Sequence, residues 1–214
     1  MVELASVQEA VEVPAKPHMS DPEIALFSRA LGGCQRYLEF GAGGSTCYAL
    51  SAGVERIVSV ESDIGWVEAL RQMPAIAEAS RANRLHLLHG DIGPVRKWGF
   101  PRDDSAKAQW RQYPEAPWPV WQRLGASPQL VLVDGRFRVA CALRAALWFL
   151  EHDGRAGVRL LCHDFSPKRS SYQTIFQYFD LVEVVDTLVY ARLKVDLRQK
   201  DIEQAYKRAV FQTI

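Results

Sequence analysis

Short apolar runs recur along this chain, separated by stretches in which apolar residues return every three or four positions. Residues 36–40, 56–60, 85–88, 129–133 and 158–162 read as strands, and the run QLVLV at 129–133 has no polar residue after its first. Between them, helical spacing is carried by Ile24, Leu26, Phe27 and Leu31, by residues 45–51, by Trp66, Val67 and Leu70, and by residues 136–150. Asp21 suits an N-cap with Pro22 at the first helical position, and the Gly32-Gly33 pair suits the stop. Short strands alternating with helices predict a parallel sheet covered on both faces, with right-handed crossovers. After a predicted helix at 172–179, two β-rich runs at 181–185 and 188–193 are separated only by Asp186-Thr187, which predicts an antiparallel hairpin. The expected fold is therefore α/β: a three-layer, doubly wound sandwich around a mostly parallel seven-stranded sheet with a terminal hairpin.

Three pieces lie outside that rhythm. Residues 1–20 form a loosely patterned arm ahead of a body at 21–196, and residues 197–214 carry Ile202, Tyr206, Ala209 and Val210 on one stripe of a tail helix. Residues 93–125 form an insertion rich in Pro and Trp, with Trp98, Trp110, Tyr113, Trp118 and Trp121. Such rings anchor a long loop, form a dimer contact, or meet an acceptor, and anchoring is the expectation for most of them.

Composition narrows the class. With 48% hydrophobic and 24% charged residues, the 214-residue chain is expected to fold around one core without disulfides. Lys plus Arg is 26 against 25 for Asp plus Glu, a net charge of +1 that provides no field for steering towards nucleic acid or an anionic membrane. Cys34, Cys47, Cys141 and Cys162 form no CxxC pair and are expected as reduced, packed thiols. The first residues include Glu3, Glu9 and Glu12 and no long apolar run, so neither a signal peptide nor a membrane span is expected, and the cytoplasm is the expected compartment.

The densest chemistry lies in YLEFGAGGSTCYAL, residues 37–50. A strand reaching Glu39 is followed by Gly41, Ala42, Gly43 and Gly44, with a helix beginning near Ser45. Glycine at a strand-to-helix turn lets backbone approach a ligand closely, because no Cβ intervenes. Glu61, followed by Ser62, ends the second strand, as expected for a carboxylate accepting ribose hydroxyls. Asp91, followed by Ile92, comes after the third, where it could meet an adenine amino group. Acidic residues at the carboxyl ends of successive strands line the crevice where doubly wound folds bind ligands. A dinucleotide fingerprint would want glycine where Thr46 stands, and at this turn NAD would present its anionic pyrophosphate, not a cation, to Glu39. On these residues the chain resembles the class I S-adenosylmethionine-dependent methyltransferases, whose first motif is acidic-x-Gly-x-Gly; Ser45 holds the place of that motif's common third glycine. The resemblance covers roughly residues 36–195. It implies that Glu39, Gly41, Ala42, Gly43 and Ser45 border the methionyl part, Glu61 and Ser62 the ribose, Asp91 and Ile92 the adenine, and that Asp134 reaches both cofactor and acceptor.

Methyl transfer from sulfonium needs an aligned nucleophile and a means of removing its proton. The ends of the fourth and fifth strands, LVDGRFR and LCHDF, offer Asp134, Arg136, Arg138, His163 and Asp164. This set resembles that of metal-assisted O-methyltransferases of the catechol and macrolide-sugar types, and that resemblance implies Asp134, His163 and Asp164 as ligands to magnesium or manganese. Histidine departs from the all-oxygen set that magnesium prefers, so His163 is equally readable as a general base without metal. Arg136 and Arg138, two apart, would not share a helix face; one of them could bind an acidic acceptor or the cofactor's carboxylate, but each singly is expected to be solvated. The expected function is methyl transfer to an oxygen of a small molecule or saccharide. A nicotinamide oxidoreductase and a non-catalytic cofactor-binding protein are the rivals, and a homodimer is left open.

Overall fold

The computed structural model describes residues 13–152, 158–166 and 168–213. The expected arm therefore falls mostly outside the described residues, which begin at Val13. In chain order the elements are α1 (Asp21–Leu31), β1 (Arg36–Phe40), α2 (Gly44–Ser51), β2 (Arg56–Glu61), α3 (Ile64–Gln72), α4 (Pro74–Arg81) and β3 (Leu85–His89). The insertion follows as the small hairpin β4 (Val95–Arg96) and β5 (Phe100–Pro101), then α5 (Gln112–Glu115) and α6 (Trp118–Leu124). The remainder is β6 (Leu130–Val133), α7 (Arg138–His152), β7 (Arg159–Cys162), β8 (Phe179–Val185), β9 (Leu188–Leu193) and α8 (Gln199–Ala209).

The main sheet has seven strands in the order β3-β2-β1-β6-β7-β9-β8, parallel from β3 to β7 and antiparallel at both β9 pairings. Alternation along each strand divides the core in two. Leu38, Phe40, Val58, Val60, Val131 and Val133 pack with α5, α6, α7 and α8, whereas Tyr37, Ile57, Leu130, Leu132 and Leu161 pack with α1, α2, α3 and α4. The chain runs outward from β1 through β2 to β3 and then returns to lay β6 on β1's other side. The strand order thus reverses between β1 and β6, and the carboxyl ends of these two strands flank the crevice.

Several elements depart from the sequence expectation. The first helix is capped by Ser20: its hydroxyl accepts from the Glu23 amide at 3.4 Å, while Glu23 Oε2 accepts from the Ser20 amide at 2.8 Å. This reciprocal box moves Asp21 and Pro22 into the first turn. The helix predicted at 136–150 runs from Arg138 to His152, because Phe137 adopts φ of 53° and the turn after β6 must finish first. The predicted helix at 172–179 is a 3-10 segment, Ser170–Gln177, and Phe179 already belongs to β8. The insertion is anchored as expected: Trp110, Tyr113, Trp118 and Trp121 are buried, and Trp118 stacks on Trp148 of α7 at 5.1 Å. Trp98 stays 66% exposed. All four cysteines are free and buried. Among the described residues no helix is long and apolar enough to cross a membrane.

Candidate active site

The glycine turn after β1 is built on a buried carboxylate. Glu39 is fully buried and accepts from four hydroxyls: Tyr37 at 3.0 Å, Ser45 at 2.6 Å, Ser59 at 2.6 Å, and Thr46. Burial raises its pKa, and the four donors offset part of that cost. Both oxygens are engaged, so Glu39 holds the turn from beneath. Thr46, on α2, ties the turn again by accepting from the Gly43 amide at 3.0 Å. Gly41 has φ of 98°, and a Cβ there would come within 2.7 Å of the Gly135 nitrogen, so only glycine lets the loops after β1 and β6 approach this closely. Ala42 is buried, and its carbonyl accepts from the Trp66 indole at 2.8 Å.

Glu61 is pinned at one oxygen. Its Oε1 accepts from the Ser62 amide at 2.6 Å, the Ser62 hydroxyl at 3.1 Å and the Asp63 amide at 3.0 Å. Its Oε2 has no hydrogen-bond partner among the described residues, and burial raises the pKa of the group. Asp91 is exposed and accepts from the Gly93 amide at 2.9 Å, beside a buried Ile92. The β4–β5 hairpin lies against this edge, with the Gly99 carbonyl accepting from the Ser62 hydroxyl at 3.2 Å. Its tip meets the amino-terminal segment, where the His18 and Trp98 rings are 6.1 Å apart. The same segment packs its Lys16 carbonyl on Gly44, where a Cβ would come within 1.9 Å.

Across the switch point, Asp134, His163 and Asp164 come together as expected, with one potential ligand atom from each lying within 4.8 Å of the others. The His163 Nδ1 and Asp134 Oδ1 atoms are 2.9 Å apart, and Nε2 lies 3.4 Å from Glu23 Oε2. Both imidazole nitrogens thus face carboxylates. Burial disfavours the imidazolium, but Asp134, Asp164 and Glu23 outweigh it and raise the His163 pKa. Glu23 is itself buried. Desolvation opposes its ionisation, yet the Ser20 amide, the Thr187 hydroxyl and amide, and His163 hold its pKa near about 2.

Arg138 corrects the expectation of a solvated side chain. It is 2% exposed and lies beneath the site. Its guanidinium donates to the carbonyls of Gly135 at 3.0 Å and Asp134 at 3.1 Å, to that of His163, and to Asp164 Oδ2 at 2.8 Å. It also lies 3.5 Å from Asp134 Oδ1. Arg136 projects elsewhere, its guanidinium 4.0 Å from the Phe100 ring centroid.

Sequence reasoning missed Glu23 and Thr187. The signal for Glu23 was present in the spacing Ser20-x-x-Glu23, which marks a capping box, but only the fold carries that helix start to His163.

A cation already stands among these carboxylates, since Arg138 donates to Asp164 Oδ2 and lies near Asp134 Oδ1, while Asp164 Oδ1 and Asp134 Oδ2 accept no hydrogen bond among the described residues. The glycine turn and the free oxygen of Glu61 fit a nucleoside cofactor.

No family model matches the chain, and no curated protein sequence matches it. Among solved structures it is similar to a methyltransferase-like protein (spo2022) from Silicibacter pomeroyi DSS-3, at 28% identity over 92% of this chain and 99% of that one, with a TM-score of 0.71. The C-terminal domain of precorrin-6Y C5,15-methyltransferase from Rhodobacter capsulatus aligns at 15% identity over 84% of this chain and 94% of that one, with a TM-score of 0.46. The glycopeptide N-methyltransferase MtfA, complexed with S-adenosyl-L-homocysteine, aligns at 15% identity over 89% and 95%, with a TM-score of 0.44.

Proposed function

We propose that this chain, a class I S-adenosylmethionine-dependent methyltransferase by fold, methylates a hydroxyl oxygen of a small molecule or saccharide, with Asp134 receiving the acceptor's proton. When bound, S-adenosylmethionine supplies an electrophilic methyl group on a sulfonium centre. Gly41, Ala42 and Gly43 would border its methionyl part, Glu61 and Ser62 its ribose, and Asp91 and Ile92 its adenine. Glu61 suits that task because Oε1 is locked by three donors, which aims Oε2 as a fixed acceptor.

The observation that carries the acid–base assignment is the row Glu23–His163–Asp134 at the carboxyl ends of β6 and β7. With both its nitrogens facing carboxylates, His163 is a positioning residue, an imidazolium that fixes one Asp134 oxygen. The other oxygen, Oδ2, accepts no hydrogen bond among the described residues and serves the acceptor. Arg138 balances the local negative charge in place of a metal ion. A positioned base of this kind contributes about 10²–10⁴-fold to rate.

Calorimetric titration with S-adenosylmethionine and S-adenosylhomocysteine, followed by a screen of hydroxylated sugars and phenols, tests the proposal. Both ligands are expected to bind wild type, to bind Glu61→Ala at least ~10-fold more weakly, about the cost of one hydrogen bond to a charged group, and to bind Asp134→Asn normally. Turnover by Asp134→Asn should fall by about 10²–10⁴-fold. Binding of NAD in place of S-adenosylmethionine would overturn the assignment.

A further inference from the structure

Arg136 has no counterpart in the machinery described above. It follows β6 by three residues, and its neighbours in chain, Asp134 and Arg138, are both committed to the His163 cluster. Its guanidinium makes no ion pair and no hydrogen bond among the described residues, and its Nε atom is buried without any partner. Burial and the charge of Arg138 lower its pKa, more than Tyr113, Tyr172 and Asp134 raise it. A buried, unpaired Nε–H donor is costly, because it forgoes both water and a protein acceptor.

The side chain is nevertheless held in place. Its flat face lies on Phe100 of the hairpin beside Glu61, and the phenol of Tyr172, on the segment after β7, is close enough to act on it electrostatically. Arg169 reaches the same phenol, donating to Tyr172 Oη at 3.0 Å, and forms no ion pair among the described residues. Two arginines that form no ion pair among the described residues therefore act on one tyrosine, Arg136 from the turn after β6 and Arg169 from the segment after β7.

We infer that the methyl acceptor is an anion, and that Arg136, assisted by Arg169, binds its carboxylate or phosphate group while its hydroxyl faces Asp134. This rests on the function proposed above. A planar guanidinium fixed by stacking presents paired N–H donors at a set angle, the geometry that carboxylate and phosphate accept.

The test is calorimetry with sodium benzoate and inorganic phosphate, on the protein alone and on protein saturated with S-adenosylhomocysteine. At least one anion should bind wild type in the millimolar range, bind Arg136→Gln at least ~10-fold more weakly, about the cost of one charged hydrogen bond, and bind Arg136→Lys at an intermediate level. Arg169→Gln should weaken it less. Affinity for S-adenosylhomocysteine should be unchanged in all three variants, which also shows that they fold. Absence of binding by either anion would overturn the inference. So would a loss of S-adenosylhomocysteine affinity in Arg136→Gln, which would assign the arginine to the cofactor's own carboxylate. Failure of wild type to bind S-adenosylhomocysteine would instead overturn the proposed function, and the anion titration of the unloaded protein would still judge Arg136.

Discussion

At the scale of single residues, the site is governed by how charge is held out of water. The row Glu23–His163–Asp134 links stability to pH with a definite sign. Glu23 titrates near about 2 in the fold against an ordinary 4.5, so its contribution is present above 4.5 and is lost as pH falls towards 2. His163 titrates above its ordinary 6.5, so its contribution is complete below 6.5 and is lost as pH rises through the folded value. Thermal melting should therefore be highest at mildly acidic pH, between these two limits. His163→Gln should flatten the alkaline limb and leave the acid limb; an unchanged alkaline limb would remove the imidazolium from the account. Arg138 makes a second prediction at this scale. With a guanidinium already on Asp164, methyl transfer should survive exhaustive treatment with EDTA, and a loss restored by magnesium or manganese would reinstate the metal.

At the scale of elements, the insertion is held by its aromatic residues. Trp121 of α6 is fully buried, and Tyr113 of α5 packs its ring beside Gly90 and its hydroxyl beside Gly135, at the strand ends that form the crevice floor. Removing the Trp121 ring should cost about 3–5 kcal/mol in a denaturant titration of Trp121→Ala. Trp121→Phe should cost much less, since the indole nitrogen is buried without a partner and its loss strands nothing. Equal costs for the two variants would mean that the indole edge finds a partner in solution. The hairpin β4–β5 is lightly anchored by comparison, with an exposed Trp98 at its tip.

At the scale of the whole molecule, α8 closes the second face of the sheet. Ile202, Ala205, Tyr206 and Ala209 join the same core cluster as α7, and the Tyr206 hydroxyl donates to Glu115 at 2.7 Å, while Arg144 of α7 donates to Glu115 at 2.8 Å. The tail helix is thus part of the core on the insertion side. Ile202→Ala should lower unfolding stability by about 2–5 kcal/mol, measured by chemical denaturation. A change within about 0.5 kcal/mol, the range of surface substitutions, would show that the tail docks only loosely.

The sequence by itself determined the layered α/β plan, because runs alternating between strand and helix spacing can bury their apolar faces in few arrangements. It also located the glycine turn and the acidic strand ends, since these features are local: a Gly41 that must take a positive φ and a carboxylate placed where a strand stops. It marked Asp134, His163 and Asp164 as one group because parallel strands deliver their carboxyl ends to one edge. What only the tertiary structure decided was what each charge faces. Glu39 proved to be consumed by four hydroxyls, Glu23 was brought to His163 across 140 residues, and Arg138 was buried under the site while Arg136 was left without a counterion. The physical reason is that hydrophobic periodicity is written in neighbouring positions, whereas the pairing of buried charges depends on distances between elements far apart in the chain.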